Sequence, residues 1–209
     1  CGMSPLCVAA HVGSTAGVHE LLIMEADLEG SSAGGLTPLH FAASGGFTKV
    51  ALMLLKHNAN VEAEGTYRST FGRRPLHIAA REGHEEVTRL LLDYSADKNA
   101  FVKSGATVLW HAVHAGHTEC VVALVTARSD VNLQNNDSYK RVPLMAAVKK
   151  KSVALVSILL GAHADVNIED GHHDTSLAYC QKDSEEAEFI LNFMKWTRRH
   201  KSRCGCCVT

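Results

Sequence analysis

The sequence lacks several features that define common protein classes. None of its apolar runs reaches the roughly 18–20 residues that a membrane-spanning helix needs, and no secretory signal peptide is visible. Its 7 cysteines are odd in number and irregular in spacing, which is not the pattern of a disulfide framework. We therefore expect a reducing compartment, the cytoplasm or the nucleus, as its location.

Motifs of catalysis and of nucleotide binding are also missing. The sequence contains no HExxH or GxGxxG and no phosphate-binding GxxxxGKS or GxxxxGKT. None of its serines or aspartates belongs to a convincing triad, including Ser32 in the GxSxG match at Gly30–Gly34. The net charge of −1 gives no reason to expect nucleic acid as a ligand. The sequence therefore predicts no enzyme and no cofactor.

Charge divides the chain into two parts. The last 15 residues, from Lys195 to Thr209, hold 5 basic side chains and no acidic one, whereas the preceding 194 hold 16 basic and 22 acidic side chains. Aromatic residues are only 6% of the total, so alanine, valine and leucine must form most of the interior. We expect a folded body over residues 1–194 and a basic, cysteine-rich tail over 195–209.

The body repeats one phrase at nearly constant intervals, the sign of an array of stacked units. SPLCVAA, TPLHFAA, RPLHIAA, TVLWHAV, VPLMAAV and a worn TSLAYCQ follow each other in steps of 33, 37, 33, 35 and 33 residues. The two longer steps predict loop insertions near Gly65–Gly72 and Asn135–Tyr139. The six phrases, which begin repeats 1 to 6, start at Ser4, Thr37, Arg74, Thr107, Val142 and Thr175.

A second phrase keeps the same offset from the first. ADLE, ANVE, ADKN, SDVN and ADVN begin at Ala26, Ala59, Ala96, Ser129 and Ala164. Between the phrases, apolar residues recur at helical spacing, which predicts two short helices in each repeat. Paired alanines let neighbouring first helices approach closely, and glycines such as Gly46, Gly83 and Gly116 are placed to end those helices.

This pattern resembles the ankyrin repeat over almost the whole chain. The resemblance implies an all-α solenoid of stacked helix-turn-helix units with β-hairpin fingers, here five repeats and a degenerate sixth that serves as a cap. The sequence departs from the family at Val108, where proline is usual, at Trp110 and Met145, where histidine is usual, and at Lys151, where glycine is usual. We expect the cap helix near Ser184–Met194, with a capping box at Asp183 and Glu186 and an apolar side that includes Phe189, Ile190, Phe193 and Met194.

Histidines are numerous, 13 in all, yet their pattern does not predict a metal site. In the family, the histidine of TPLH joins the loop of its own repeat to the next one, and we assign that structural role to His40 and His77. His111 and His114 have the i, i+3 spacing of a shared helix face, but we expect no zinc there. Asn99, Asn132 and Asn167 match the family position that an asparaginyl oxygenase can hydroxylate. The simpler role, which we favour, is that their amides satisfy backbone groups in the turn.

The stacked repeats would present the fingers and the concave side of the first helices as one surface. We expect a protein partner to bind there, so the function is that of an adaptor or scaffold and the chain by itself is monomeric. The basic run at Lys149–Lys151 favours an acidic peptide over nucleic acid, and a plain solvated patch is the simpler alternative. Phe71, Phe101 and Tyr139 are either binding anchors or residues that pack over neighbouring loops. The candidate partner-binding residues are Leu36, Ser44, Phe71, Arg73, Arg81, Glu82, Phe101, Lys103, His114, Tyr139, Arg141, Lys149 and Lys150.

The tail suggests one further possibility. Its last residues, CCVT, fit a prenylation pattern on Cys206, with Cys204 or Cys207 as palmitate acceptors beside the basic stretch. The terminal threonine and the non-aliphatic Cys207 weaken this pattern, so a disordered basic tail is the alternative. A membrane-tethered adaptor and a regulatory region of a larger enzyme or signalling protein are the two other functions that we consider. Because the chain begins with Cys1, we expect a fragment of a longer protein.

Overall fold

A computed structural model describes residues 2–180 and 185–201 of the chain. Within these ranges the chain folds into antiparallel pairs of short helices, one pair for each of repeats 1 to 5, followed by a longer closing helix. The first helices are α1 (Pro5–His11), α3 (Pro38–Gly45), α5 (Pro75–Glu82), α7 (Val108–Ala115) and α9 (Pro143–Lys149). The second helices are α2 (Thr15–Ile23), α4 (Thr48–Lys56), α6 (Glu85–Asp93), α8 (Thr118–Thr126) and α10 (Val153–Gly161), and the closing helix is α11 (Glu185–Lys201).

The first helices of repeats 1 to 5 begin within the first phrase, and those of repeats 2 to 4 end at the predicted glycine. Thr107 is the N-cap of α7 and its hydroxyl accepts the Trp110 backbone N–H at 3.1 Å. Gly46 and Gly83 follow α3 and α5 with φ of 69° and 86°, the left-handed conformation that ends a helix. At the same position in repeat 5, Lys151 adopts φ of 57°, so that repeat forms the turn without glycine and with backbone strain.

The repeats stack in two layers, first helices against first helices and second against second. Ala42, Ala43 and Ala79 are fully buried between the first helices, as expected from their small size. Leu54 and Leu91 are fully buried in the second layer, and each contributes about 1.5–3 kcal/mol by its removal from water. The all-α solenoid predicted from the repeats is confirmed.

The insertion predicted from the 37-residue step forms a β-hairpin in the finger between repeats 2 and 3. Its strands are β1 (Gly65–Tyr67) and β2 (Thr70–Arg73), and they pair antiparallel with a bulge between Gly65 and Tyr67. Fingers elsewhere in the described ranges are turns, with isolated bridges joining Phe101 to Thr107 and Glu169 to Thr175. The insertion near Asn135–Tyr139 also lies in a turn, as predicted.

The sixth repeat keeps only part of the pattern. Residues 176–179 form turns in place of a first helix, and α11 packs against α10 through Ala187, Ile190, Leu191 and Met194. The expectation that Phe189 faces the stack is wrong: it is 55% exposed, because it lies beside the stripe at positions 187, 190, 191 and 194. Helix α11 continues to Lys201, so the first part of the basic tail is helical. Asp183 of the predicted capping box lies outside the described residues. None of the described helices is long and apolar enough to span a bilayer.

Candidate interaction surface

The fingers are joined to one another by backbone hydrogen bonds. The backbone N–H of Lys103 donates to the carbonyl of Phe71 at 3.1 Å, and that of Gly171 donates to Tyr139 at 2.7 Å. Similar bonds join Thr66 to Gly34 and Asn136 to Gly105. The five fingers therefore form one continuous edge of the solenoid, as the repeat pattern implies.

The second phrase forms a ladder of side-chain bonds along the array. The Oδ1 atom of Asn99 accepts the Asp130 backbone N–H at 2.9 Å, and that of Asn132 accepts the Asp165 N–H at 2.7 Å. These amides therefore bond a backbone group of the next repeat, whereas the prediction placed their partners within the same turn. In the first two repeats a glutamate takes the place of the asparagine: Glu29 bonds to Asn60 and Glu62 to Asp97, each at 2.8 Å. Asn167 bonds the Asp165 carboxylate at 3.1 Å through its Nδ2 atom.

The two histidines of the TPLH phrase join adjacent repeats as predicted. In His77, Nδ1 accepts the Arg74 backbone N–H at 3.2 Å and Nε2 donates to the Ala100 carbonyl at 3.1 Å. His40 makes the same bonds to Thr37 and Arg73. Burial lowers the pKa of His40 to about 4 and that of His77 to about 3. Both rings are therefore neutral at pH 7, with Nε2 protonated as the bond to a carbonyl requires.

Cys7 in repeat 1 and Trp110 in repeat 4 occupy the histidine position with different results. In repeat 1 the Cys7 thiol donates to the Gly30 carbonyl at 3.0 Å, and burial raises its pKa, which keeps it protonated. In repeat 4 the Trp110 ring turns to the concave side and stacks on His114, with ring centroids 4.6 Å apart. Its Nε1 atom is buried without an internal acceptor. In repeat 4 the side chain at this position therefore forms no hydrogen bond to the next repeat and presents a flat aromatic surface instead.

The aromatic finger residues are exposed in the described structure. Phe71 is 60% and Phe101 is 37% exposed, whereas Tyr139 is 46% exposed and contacts the His172 ring at 5.7 Å. Tyr139 therefore combines the two roles considered for it, since one part packs on the next finger and the other faces solvent. Lys103 is also exposed, and Leu36 is half-buried.

Arg73 was predicted to lie on the open surface, and this prediction is wrong. Only 3% of it is exposed, because Gly72 with φ of 70° breaks the strand alternation that would place Arg73 beside Phe71. Burial lowers its pKa to about 10, and the neighbouring Arg81 charge acts in the same direction. Arg73 is therefore a buried cation below the concave surface.

The concave residues of repeats 2 and 3 are partly used in internal bonds. The Ser44 hydroxyl bonds the Tyr67 phenol at 2.9 Å, and the Glu82 carboxylate forms an ion pair with Arg68 at 3.1 Å. Arg81 is half-buried and forms no ion pair within the described ranges. This part of the surface is closed by its own contacts and offers mainly Arg81 to a partner.

The concave residues of repeats 4 to 6 form a pocket of about 250 Å³. We call it the basic pocket, and its floor is formed by Met145 and Ala146. Its walls bring together four residues predicted from the sequence and two that were not predicted, Trp110 and Tyr179. Its walls are Trp110, His114, Arg141, Lys149, Lys150 and Tyr179.

Positive charge dominates this end of the concave side. Partial burial lowers the pKa of His114, and the cations Lys150, Arg81, Lys149 and Arg141 lower it further in that order. Burial likewise lowers the pKa of His111 to about 2, with Arg73 as the largest charged contributor. Both imidazoles are therefore neutral at pH 7, and the positive charge belongs to the arginines and lysines.

Other predicted sites have no test in the structure. Cys204, Cys206 and Cys207 lie outside the described residues, so tail lipidation stays a prediction. Hydroxylation of Asn99, Asn132 or Asn167 also stays a prediction. Among the described residues, no cluster of three or more histidine, cysteine or acidic side chains has the geometry of a metal site.

Comparison with known proteins agrees with this geometry. The family model for ankyrin repeats in three copies matches residues 1–65, 63–135 and 99–170. The chain belongs to the ankyrin repeat family. The ankyrin array is 30% identical over 203 residues to an ankyrin repeat and KH domain-containing protein of Caenorhabditis briggsae, which covers 97% of this chain.

Two further relatives match the ankyrin array. The ankyrin repeat and KH domain-containing protein mask-1 of Caenorhabditis elegans is 32% identical over 75% of this chain, and mouse (Mus musculus) Rabankyrin-5 is 30% identical over 84% of it. The chain spans 7%, 6% and 15% of the length of these three relatives. The similarity therefore concerns the repeats and only a small part of each relative.

Proposed function

We propose that the ankyrin array binds a partner protein with its fingers and concave helices and so acts as an adaptor or scaffold. One observation carries the proposal: the continuous edge of fingers exposes Phe71 and Tyr139, two large aromatic side chains that the core does not need. Aromatic residues and arginine contribute disproportionately to binding energy at protein interfaces. The family is a general protein-interaction module, which supports the same conclusion.

Site-specific photo-crosslinking in cells tests this proposal. Benzoylphenylalanine replaces Phe71 in one variant and Tyr139 in a second, and Val122, 37% exposed on the second helix α8, provides a matched control position. We expect a cross-linked partner at position 71 or 139 and none at position 122. Equal products at all three positions, or none at 71 and 139, would contradict the proposal.

A second proposal is that the ankyrin array is one interaction region of a longer protein. It is supported by the relatives, since the chain spans only 7% and 6% of the two worm proteins. An antibody raised against the array would measure the mass of the native protein. We expect a band far above 22.5 kDa, the mass of this chain, and a single band at that mass would refute the proposal.

A further inference from the structure

The cations of the basic pocket lack opposite charges. Within the described ranges Arg141, Lys149 and Lys150 form no ion pair with a carboxylate. Lys150 donates to the His114 carbonyl at 2.8 Å, and the Arg141 guanidinium lies over the Tyr139 ring at 4.4 Å from its centroid. These contacts fix the positions of two charges without neutralising them.

One carboxylate lies close to the pocket, and it already accepts three hydrogen bonds. Asp170 is only 4% exposed and accepts the backbone N–H groups of His172 at 2.8 Å and Asp174 at 3.0 Å as well as the Tyr179 hydroxyl. Burial and the bond to Asp170 raise the pKa of Tyr179, so the phenol remains a neutral donor. Asp170 does not line the basic pocket, which holds the three cations Arg141, Lys149 and Lys150, so the local charge is net positive.

The floor of the basic pocket is apolar and adaptable. Met145 is 1% and Ala146 is 9% exposed, and the Trp110 ring stacked on His114 extends the apolar surface. Methionine adjusts to side chains of different shape. The volume of about 250 Å³ is below the range of roughly 300–1,000 Å³ that is usual for small-molecule sites. The pocket therefore suits one or two side chains of a peptide better than a cofactor.

The charge of the rest of the chain favours a peptide over nucleic acid. Nucleic-acid-binding domains are usually basic over a large surface. This chain has a net charge of −1, and its first 194 residues hold 16 basic against 22 acidic side chains. The positive charge is thus local and of the size of a short acidic segment.

We propose that the basic pocket binds a peptide segment in which one apolar side chain is flanked by aspartate or glutamate. The apolar side chain would rest on Met145 and Trp110, and the flanking carboxylates would reach Arg141, Lys149 and Lys150. This inference rests on the proposed function, because it names the chemistry of the partner at one part of the same surface. It assigns affinity to the floor and selectivity to the charged wall.

An unbiased peptide selection tests the inference on the full chain. A random peptide library displayed on phage is selected against the wild-type protein and, in parallel, against the variant Lys149→Glu/Lys150→Glu. A matched control, Lys49→Glu/Lys56→Glu, makes the same charge change at two exposed lysines of α4. Circular dichroism melts establish that each variant folds, and Lys149→Gln/Lys150→Gln replaces the test variant if it does not.

We expect selection by the wild type and by the control of peptides with an apolar residue between acidic ones. For the most enriched peptide, labelled with fluorescein, fluorescence anisotropy should show a Kd at least about fivefold higher in the pocket variant and changed less than about twofold in the control. Raising salt from about 0.05 to about 0.5 M should weaken binding, since exposed charges are screened.

Four results would overturn the inference. These are enriched peptides that are neutral or basic, acidic peptides that bind the pocket variant as tightly as the wild type, no enrichment at all, and displacement of the peptide by an oligo-dT strand at lower concentration than by unlabelled peptide. Cross-links at positions 71 and 139 report on the proposed function separately. If they form while the selected peptides lack acidic residues, the inference about ligand chemistry fails and the proposed function stands.

Discussion

The buried histidines predict a steep loss of stability in mild acid. His40, His77 and His111 are at most 7% exposed, and burial lowers their pKa values to about 4, 3 and 2. An unfolded chain binds protons at these residues with a pKa of about 6.5. The free energy of unfolding therefore has its full value above that pH and falls as the pH decreases below it, because only the unfolded state then takes up protons at these histidines.

The expected magnitude is large relative to the stability of a domain. One such histidine removes about 2 kcal/mol from the free energy of unfolding at pH 5, and three together remove up to about 4 kcal/mol per pH unit below pH 6. A typical domain has about 5–15 kcal/mol in total. We therefore expect the ankyrin array to unfold between pH 6 and pH 4. Urea unfolding, followed by circular dichroism at intervals from pH 8 to pH 5, measures this slope.

The variant His77→Gln isolates one contribution. Its unfolding free energy at pH 7 should fall by about 2–4 kcal/mol, since the bonds to Arg74 and Ala100 are lost or weakened. The pH slope should decrease by about 1.4 kcal/mol per pH unit, the share of one proton. Exposed His57→Gln controls for the substitution itself and should stay within about 0.5 kcal/mol of wild type at pH 7. A flat wild-type profile, or an unchanged slope in His77→Gln, would refute the reasoning.

Three further predictions concern single positions and use urea unfolding at pH 7. Gly105→Ala should destabilise by about 2–4 kcal/mol, because its φ is 88° and a Cβ would lie 2.4 Å from the backbone of the next finger. Gly161→Ala has open space around it and should stabilise by about 0.5–1 kcal/mol. A similar loss of stability in both variants would contradict this prediction. Lys151→Gly should stabilise by up to about 1 kcal/mol, since glycine adopts φ of 57° without strain, and a loss would show that the lysine contacts matter more. Asn132→Ala should cost about 1 kcal/mol by removing its bond to Asp165, and an unchanged midpoint would remove this bond from the stabilising contacts.

The stacking of the repeats could be predicted because it depends on local spacing. The first phrase locates the helix starts at Thr37 and Thr107 and the helix ends at Gly46 and Gly83, and the structure confirms each of them. The same periodicity applied to α11 would have separated Phe189 from Ile190, since positions 187, 190, 191 and 194 form the stripe. Only part of the apolar residues of α11 share the face that packs on α10, so Phe189 lies outside it.

The site was harder to predict because it depends on contacts between repeats. Arg73 follows Phe71 by two residues and would share its face in a regular strand, but a positive φ at Gly72 directs it inward. Tyr179 lines the basic pocket from the turns that replace a first helix in the degenerate sixth repeat, and the repeat pattern does not predict the direction of a side chain in such a turn. The sequence shows that Trp110 replaces the usual histidine, but the direction of its side chain depends on contacts with the neighbouring repeats.

The ladder of Glu29, Glu62, Asn99 and Asn132 has a mechanical consequence. Each side chain fastens its turn to the following one only, over a span of 31 to 35 residues. Tension applied at the two ends would thus load the junctions between neighbouring repeats in series, and at each junction the ladder bond acts beside the finger bonds and the packed helices. The array should therefore open first at the junction whose combined contacts are weakest.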